Sequence, residues 1–134
     1  MDPALAKQRV HEARVGRLGT VTPDGRPHLV PVCFALLDEV AYTAVDAKPK
    51  STLDLRRLRN IEATPATCLL VDHYDENWTQ LWWVRLDGSA RVVGSAPEAE
   101  RAKQALTSKY PQYATVAIPG PVIALEISAW AAWP

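Results

Sequence analysis

Arg17-Leu18-Gly19-Thr20-Val21-Thr22-Pro23-Asp24-Gly25-Arg26-Pro27-His28-Leu29-Val30-Pro31-Val32 reads as two strands around a turn. Pro23 presets its own φ, and Gly25 accepts the positive φ that such a turn needs. The first strand is expected over Arg17 to Thr22 and the second over His28 to Leu37. Side chains alternate along a strand. His28, Val30, Val32, Phe34 and Leu36 therefore share one face, and Leu29, Cys33 and Leu37 share the other. Both faces are apolar enough to be largely buried. Pro31 has no N–H for a ladder, so an edge or a bulge is expected there.

Upstream, Asp2-Pro3 opens a helix, with Asp2 as N-cap and Pro3 at the first helical position. Ala6, Val10 and Ala13 fall on one face of it, and Gly16 marks its exit. Downstream, Asp38-Glu39 is a tight connection to a strand over Val40 to Asp46. A helix follows over Ser51 to Ala63, with Ser51 and Asp54 near capping-box spacing. Leu55, Leu58 and Ile61 line one side of it, while Arg56, Arg57 and Arg59 lie off that stripe. Ala66 to Tyr74 reads as a strand and Asp75-Glu76-Asn77 as a turn. Thr79 to Leu86 and Ser89 to Val93 read as a hairpin about Asp87-Gly88. Ser95 and Glu98 have capping-box spacing and open a helix to Tyr110, with a stripe of Ala99, Ala102, Leu106 and Tyr110. Val122 to Ile127 is the last strand. Six to seven short strands, mostly antiparallel, with three helices between them suit a mainly β protein: a closed or partly open barrel with helices at its ends. An open sheet would leave its edges bare.

The 134 residues suit a single domain over 1–134. Fifteen basic and fifteen acidic side chains cancel. That balance argues against a nucleic-acid partner, whose phosphates call for a basic surplus. No apolar run is long enough for a membrane span, and the charged start, Met1 to Arg14, has no secretory core. A cytoplasmic location is the expectation. Cys33 and Cys68 each sit in an apolar run and read as buried thiols. No metal-ligand spacing is present, so no metal site is expected.

The stretch Asp46-Ala47-Lys48-Pro49-Lys50-Ser51-Thr52 carries the most chemistry. A helix N-terminus offers unpaired N–H groups and a partial positive charge to anions. Here Lys48 and Lys50 stand just before one, with the Ser51 and Thr52 hydroxyls in its first turn. That set matches a phosphate group; spacing alone equally allows solvated surface charges. Trp82 and Trp83 must point to opposite faces of their strand. One lies in the barrel, and the other marks an interface, a stacked flat ring or a covering helix. His73, at a strand end, and His28, beside the turn, are each a hydrogen-bonded residue or a general acid. His11 reads as solvent-exposed.

Three stretches then carry a resemblance. Gly19 to Val32 resembles the opening hairpin of the pyridoxamine-phosphate-oxidase-like split-barrel flavoproteins. Lys48-Pro49-Lys50 with Leu58-Arg59-Asn60-Ile61 resembles their phosphate-binding corner and following helix. Val71-Asp72-His73-Tyr74-Asp75-Glu76 with Leu81-Trp82-Trp83-Val84-Arg85 looks like the branch of coenzyme F420-dependent oxidoreductases. The resemblance implies a six-stranded antiparallel split β-barrel of FMN-binding type, homodimeric, with two cofactors in grooves between subunits. It implies that Lys48 and Lys50 hold the cofactor phosphate with Ser51 or Thr52. His28, Val30, Pro31 and Val32 would run beside the ring system, Thr43 would approach it, and Trp78 and Trp83 would reach it from the facing subunit. The basic helix face would meet a polyglutamate tail. The implied activity is hydride transfer from reduced F420 to a conjugated, hydrophobic small molecule, with His28, Tyr42, His73 or solvent as proton source. FMN is the alternative cofactor, and a non-catalytic deazaflavin or haem-like carrier is the alternative role. The chain is shorter than the pyridoxamine phosphate oxidases and ends at Trp133-Pro134 without the region that carries their substrate-binding residues, so pyridoxal-phosphate formation is not expected.

Overall fold

In the computed structural model, which describes residues 1–44 and 56–134, the opening hairpin closes as its residues dictate. Gly25 has φ +87°, and the Thr22 N–H donates to the Arg26 carbonyl at 2.8 Å. The Thr22 hydroxyl donates to Asp24 at 2.5 Å and accepts from the Arg26 N–H at 2.8 Å. The strands are β1 (Gly16–Val21) and β2 (Pro27–Val32), preceded by α1 (Pro3–Glu12). Asp2 caps α1, accepting from the Ala4 N–H at 2.8 Å. Next come β3 (Ala35–Leu37), β4 (Val40–Ala44), α2 (Arg56–Ala63), β5 (Ala66–His73), β6 (Trp82–Val93), α3 (Ala96–Lys109) and β7 (Val122–Trp133).

Seven strands form one antiparallel sheet in the order β2-β1-β5-β6-β7-β4-β3. The expectation of six is corrected by a break at Cys33-Phe34, which divides the expected strand over His28 to Leu37 into β2 and β3. Those two pieces are the two edges of the sheet. A link of two residues reaches only about 11 Å, so the sheet must curl until its edges approach. The result is a split barrel whose seam lies at Cys33-Phe34.

The barrel interior holds Leu18, Phe34, Leu69, Val84, Leu86, Ile123 and Leu125, closed by Ala6 and Val10 of α1 and by Leu58 and Ile61 of α2. Asn60, also buried in α2, donates to the Thr20 hydroxyl at 3.0 Å. A second cluster lies outside the barrel, where the expected α3 stripe of Ala99, Ala102, Leu106 and Tyr110 covers Ala35, Tyr42, Val122 and Ala124. Among the described residues no helix covers the outer surface of β2, β1 and β5 in this way: Leu29 is 69% exposed. Leu29 on that surface, Cys33 at the seam and Leu37 at the end of the edge strand β3 are exposed, not buried as expected.

Two further expectations are corrected. Asp87-Gly88 is no turn. β6 runs through it, pairing with β5 on one side and β7 on the other. The register slips there, from Asp87↔Ala129 to Gly88↔Ile127, leaving Ser128 as one extra residue in β7. Its hydroxyl donates to the Asp87 carbonyl at 3.1 Å, and a side chain at Gly88 would overlap the Glu126 carbonyl oxygen. A one-residue bulge exchanges the two faces of a strand. Ile123, Leu125 and Ile127 pack inward before it, and Trp130 packs inward after it, so β7 continues past Ile127 to Trp133. Nor does Ser95 cap α3 with its side chain, and the Glu98 carboxylate, the other half of the expected capping box, is bonded to Arg91 and Tyr42 instead.

Candidate functional site

The seam forms the floor of a groove of about 210 Å³ lined by Val15, Pro31, Val32, Cys33, Thr43, Ala44, Arg57 and Tyr113. Local chemistry holds it rigidly. The Thr43 hydroxyl donates to the Cys33 carbonyl at 2.7 Å. The Tyr110 hydroxyl lies 3.2 Å from the Phe34 N–H, from which it accepts, and 3.1 Å from the carbonyls of Phe34 and Arg14. Burial, more than any charge, raises the Tyr110 phenol, which keeps it neutral and able to donate. Buried backbone groups at a break between strands need such partners.

Three expected site residues, Pro31, Val32 and Thr43, meet in this groove. Val30 packs against the barrel core. His28 lies further along β2 on the same face as Val30 and Val32; four residues of strand span about 13 Å. It lines a separate, open groove of about 590 Å³ with Gly19, Thr67, Cys68 and Asp87. Its Nδ1 is buried and has no hydrogen-bond partner. Lys48, Lys50, Ser51 and Thr52 lie outside the described residues. The chain that carries them joins Ala44, at the end of β4, to Arg56, at the start of α2. Ala44 and Arg57 both line the seam groove.

Trp83 and Trp78 lie elsewhere. Trp83 lines a cleft of about 670 Å³ with Leu70, His73, Tyr74, Trp82 and Trp133. Trp82 packs against the core, so the two tryptophans do face opposite ways. His73 stacks on Trp82, with centroids 6.1 Å apart, and its Nε2 is 3.8 Å from Asp75. The cleft's charges are already matched: Arg17 pairs with Asp72 and Arg85 with Asp87, both at 2.8 Å. Trp78 is 71% exposed, and its indole N–H reaches the Tyr74 hydroxyl at 3.4 Å. Within one chain, the aromatic cleft and the seam groove share no lining residue.

Tyr42 does not face the seam groove. Its hydroxyl donates to Glu98 at 2.8 Å. Burial and that carboxylate push its phenol up to about 12, which makes it a poor proton source. Arg91 grips Glu98 at 2.8 and 2.6 Å. Those bonds and the Tyr42 hydroxyl hold the Glu98 carboxyl down at about 2. This network fastens α3 to β4.

Arg57, expected only as part of the basic helix face toward a polyanionic tail, lines the groove itself, and Cys33, Tyr113 and Trp133 were not expected in a site. Alternation from Leu29 does place Cys33 on the outer face. Trp133 is hidden by the bulge, and nothing local points to Tyr113. Among the described residues, no group of three His, Cys, Asp or Glu side chains gathers to hold a metal. No helix among them is long and apolar enough to cross a membrane.

Solved structures share this architecture. A conserved hypothetical protein from Mycobacterium tuberculosis superposes with a TM-score of 0.80 at 22% identity, covering 99% of this chain and 84% of that one. A heme binding protein from Mycobacterium smegmatis gives 0.79 at 19%, covering 96% and 52%. The heme storage protein HutZ from Vibrio cholerae gives 0.73 at 14%, covering 98% and 92%. At such identities the likeness is one of fold. No curated protein matches the sequence. The family described as pyridoxamine 5'-phosphate oxidase matches residues 2–134, and the chain therefore belongs to that family.

Proposed function

We propose that the protein binds a phosphate-bearing, flat redox cofactor along the seam: coenzyme F420, with FMN as the alternative. The observation that carries this reading is the convergence of Pro31, Val32 and Thr43 in one groove, bounded by the two residues, Ala44 and Arg57, that flank the lysine segment. Lys48 and Lys50, with Ser51 or Thr52, would hold the phosphate, since fixed amides, point charges and short hydroxyls match its oxygens. Arg56, Arg57 and Arg59 would face a polyanionic tail, which F420 has and FMN lacks. The unpartnered His28 Nδ1 is a hydrogen-bonding group suited to a polar ring edge. When bound, reduced F420 supplies a hydride; the protein's part is to orient it, exclude water and position a conjugated, hydrophobic small molecule.

The reading includes a homodimer. The uncovered half of the outer sheet, with Leu29, Trp83 and Trp133, supports it: apolar patches of this kind mark interfaces. A second copy there would bring Trp78 and Trp83 towards the facing subunit's seam.

The aromatic cleft favours one other reading, a carrier of a haem-like ligand. Its indoles and the His73 ring, which stacks on Trp82, suit a broad flat ring, and two structures of this fold are those of a heme binding and a heme storage protein. With Arg17 and Arg85 already paired, the cleft offers little to a ligand's carboxylates.

Titration of the protein with F420, FMN and haem, followed by tryptophan fluorescence, tests the choice. Saturable binding of F420 tighter than FMN is expected. The double variant Lys48→Ala, Lys50→Ala should weaken it about tenfold or more, most at low salt. Unchanged affinity in that variant removes the phosphate assignment. Tight binding of haem alone, lost in His73→Ala, moves the protein to the carrier reading.

A further inference from the structure

The extra residue Ser128 turns Trp130 inward on β7, and Ala132, two residues on, shares that face. With α1 they enclose a cavity of about 360 Å³, within the range of small-molecule pockets. Ala6 of α1 and Ala132 of β7 line it with methyl groups, Met1 adds its thioether chain, and Trp130 forms an aromatic wall. Lys7 of α1 and Glu39, in the turn between β3 and β4, are its charged residues. The cavity shares no lining residue with the seam groove, the aromatic cleft or the His28 groove.

Its two charges are held unequally. The Glu39 carboxylate accepts from the Trp130 indole N–H at 3.0 Å, and the Glu39 carbonyl accepts from the Ile127 N–H at 3.0 Å. Glu39 and the indole therefore fix each other. Lys7 reaches the other Glu39 oxygen at 3.4 Å, from a side chain that is 46% exposed. An exposed ion pair of that length is worth little, and a lysine on its flexible stem swings away readily. So the carboxylate stays and the ammonium is replaceable. An incoming anion would meet the anchored Glu39 before it gained Lys7. An incoming cation would take the place of Lys7 on the same carboxylate. Indole is also the side-chain ring that attracts cations most strongly. The alanines leave space beside it for an apolar body.

We propose that this cavity binds a small organic ammonium ion. Its charged head lies on Glu39 in place of Lys7, and its apolar body lies against Trp130, Ala6 and Ala132. The site needs neither a cofactor nor a second copy, so it stands independently of the reading given for the seam.

The test uses the full chain without added cofactor and three probes that differ at one end: phenethylammonium, phenethyl alcohol and phenylpropanoate. The indole N–H signals of isotope-labelled protein report binding by NMR, with that of Trp130 identified by its loss in Trp130→Phe. Saturable movement of the Trp130 signal by the ammonium is expected, with the alcohol and the carboxylate weaker by about tenfold or more. Glu39→Gln keeps an oxygen for the Trp130 N–H. It should weaken the ammonium by a similar factor and leave the alcohol unchanged. Lys7→Met removes the competing cation, so ammonium binding should be as tight or tighter. Ala132→Leu, at an exposed position, should fill the cavity and abolish binding. A Trp130 signal unmoved at millimolar ammonium, equal affinity for the alcohol, or binding unaffected by Ala132→Leu overturns the proposal. Tighter binding of the carboxylate, lost in Lys7→Met, overturns it too and makes the cavity an anion site. If Glu39→Gln does not fold, Lys7→Met and the ranking of the three probes still decide.

Discussion

The seam groove and the aromatic cleft are built from the same sheet by different means. At the seam, the chain crosses from one edge of the sheet to the other, and buried hydrogen bonds from Thr43 and Tyr110 hold the crossing in place. Polar and cationic groups gather there because the broken ladder leaves backbone groups to be satisfied. In the cleft, β5, β6 and β7 run on in register with one another, and what remains is apolar side-chain surface with its charges paired off. The contrast is one of surface: the seam groove is walled by Thr43, Cys33 and Arg57 beside apolar residues, and the cleft by aromatic rings. Within one chain the two share no lining residue.

The strongest challenge to this contrast is Phe34→Ala. Phe34 is fully buried at the seam, and losing its ring should cost about 3–5 kcal/mol in urea unfolding. Trp133 is 47% exposed, so Trp133→Ala should cost about 1 kcal/mol or less at high dilution, with any greater loss dependent on protein concentration. Equal costs at all concentrations would make the cleft ordinary core. Gly88→Ala attacks the bulge that carries β7 to the cleft. Its methyl meets the Glu126 backbone, which cannot yield as a side chain would. About 2–3 kcal/mol of destabilisation is expected, with a change in tryptophan emission as Trp130 and Trp133 shift. An unchanged spectrum would show that the cleft does not depend on the bulge.

A smaller effect than at the core or the bulge is expected at the clasp between α3 and β4. Glu98→Gln should cost about 1 kcal/mol at neutral pH, a figure reduced for solvent screening of a partly exposed pair. Because the folded carboxyl is lowered from 4.5 to about 2, this contribution is present above pH 4.5 and is lost as pH falls towards 2. Urea melts of both proteins should therefore converge in acid. A gap that persists at low pH would mean that the amide disrupts packing rather than charge.

How much of this was legible along the chain depends on the range of the interaction. The Thr22–Arg26 turn, the α1 cap at Asp2 and the stripes Leu58/Ile61 and Ala99/Ala102/Leu106 are settled within a few residues, so local pattern found them. The residues of the lysine segment could be named in the same way, though their geometry lies outside the described residues. Family membership, too, was carried by short motifs in a fixed order, and residues 2–134 match.

Other features come from contacts distant in sequence. Gly88 looks like half of a hairpin turn until β7 is laid beside it, because only the extra Ser128 on the neighbouring strand turns a glycine at Asp87-Gly88 into a bulge partner. Alternation beyond Ile127 looks broken for the same reason, which hides Trp130 and Trp133. Cys33 sits in an apolar run, yet it is exposed because its strand divides at the seam. The Lys109 ammonium lies over Phe34, a residue far away in the chain. Local propensity and alternation are short-range properties, so the sequence by itself determined the opening turn, the helices with their buried stripes and the family. Which strands become neighbours is paid for by closure of the whole sheet; only the tertiary structure could decide the seam, the bulge and the ring over which the Lys109 ammonium lies.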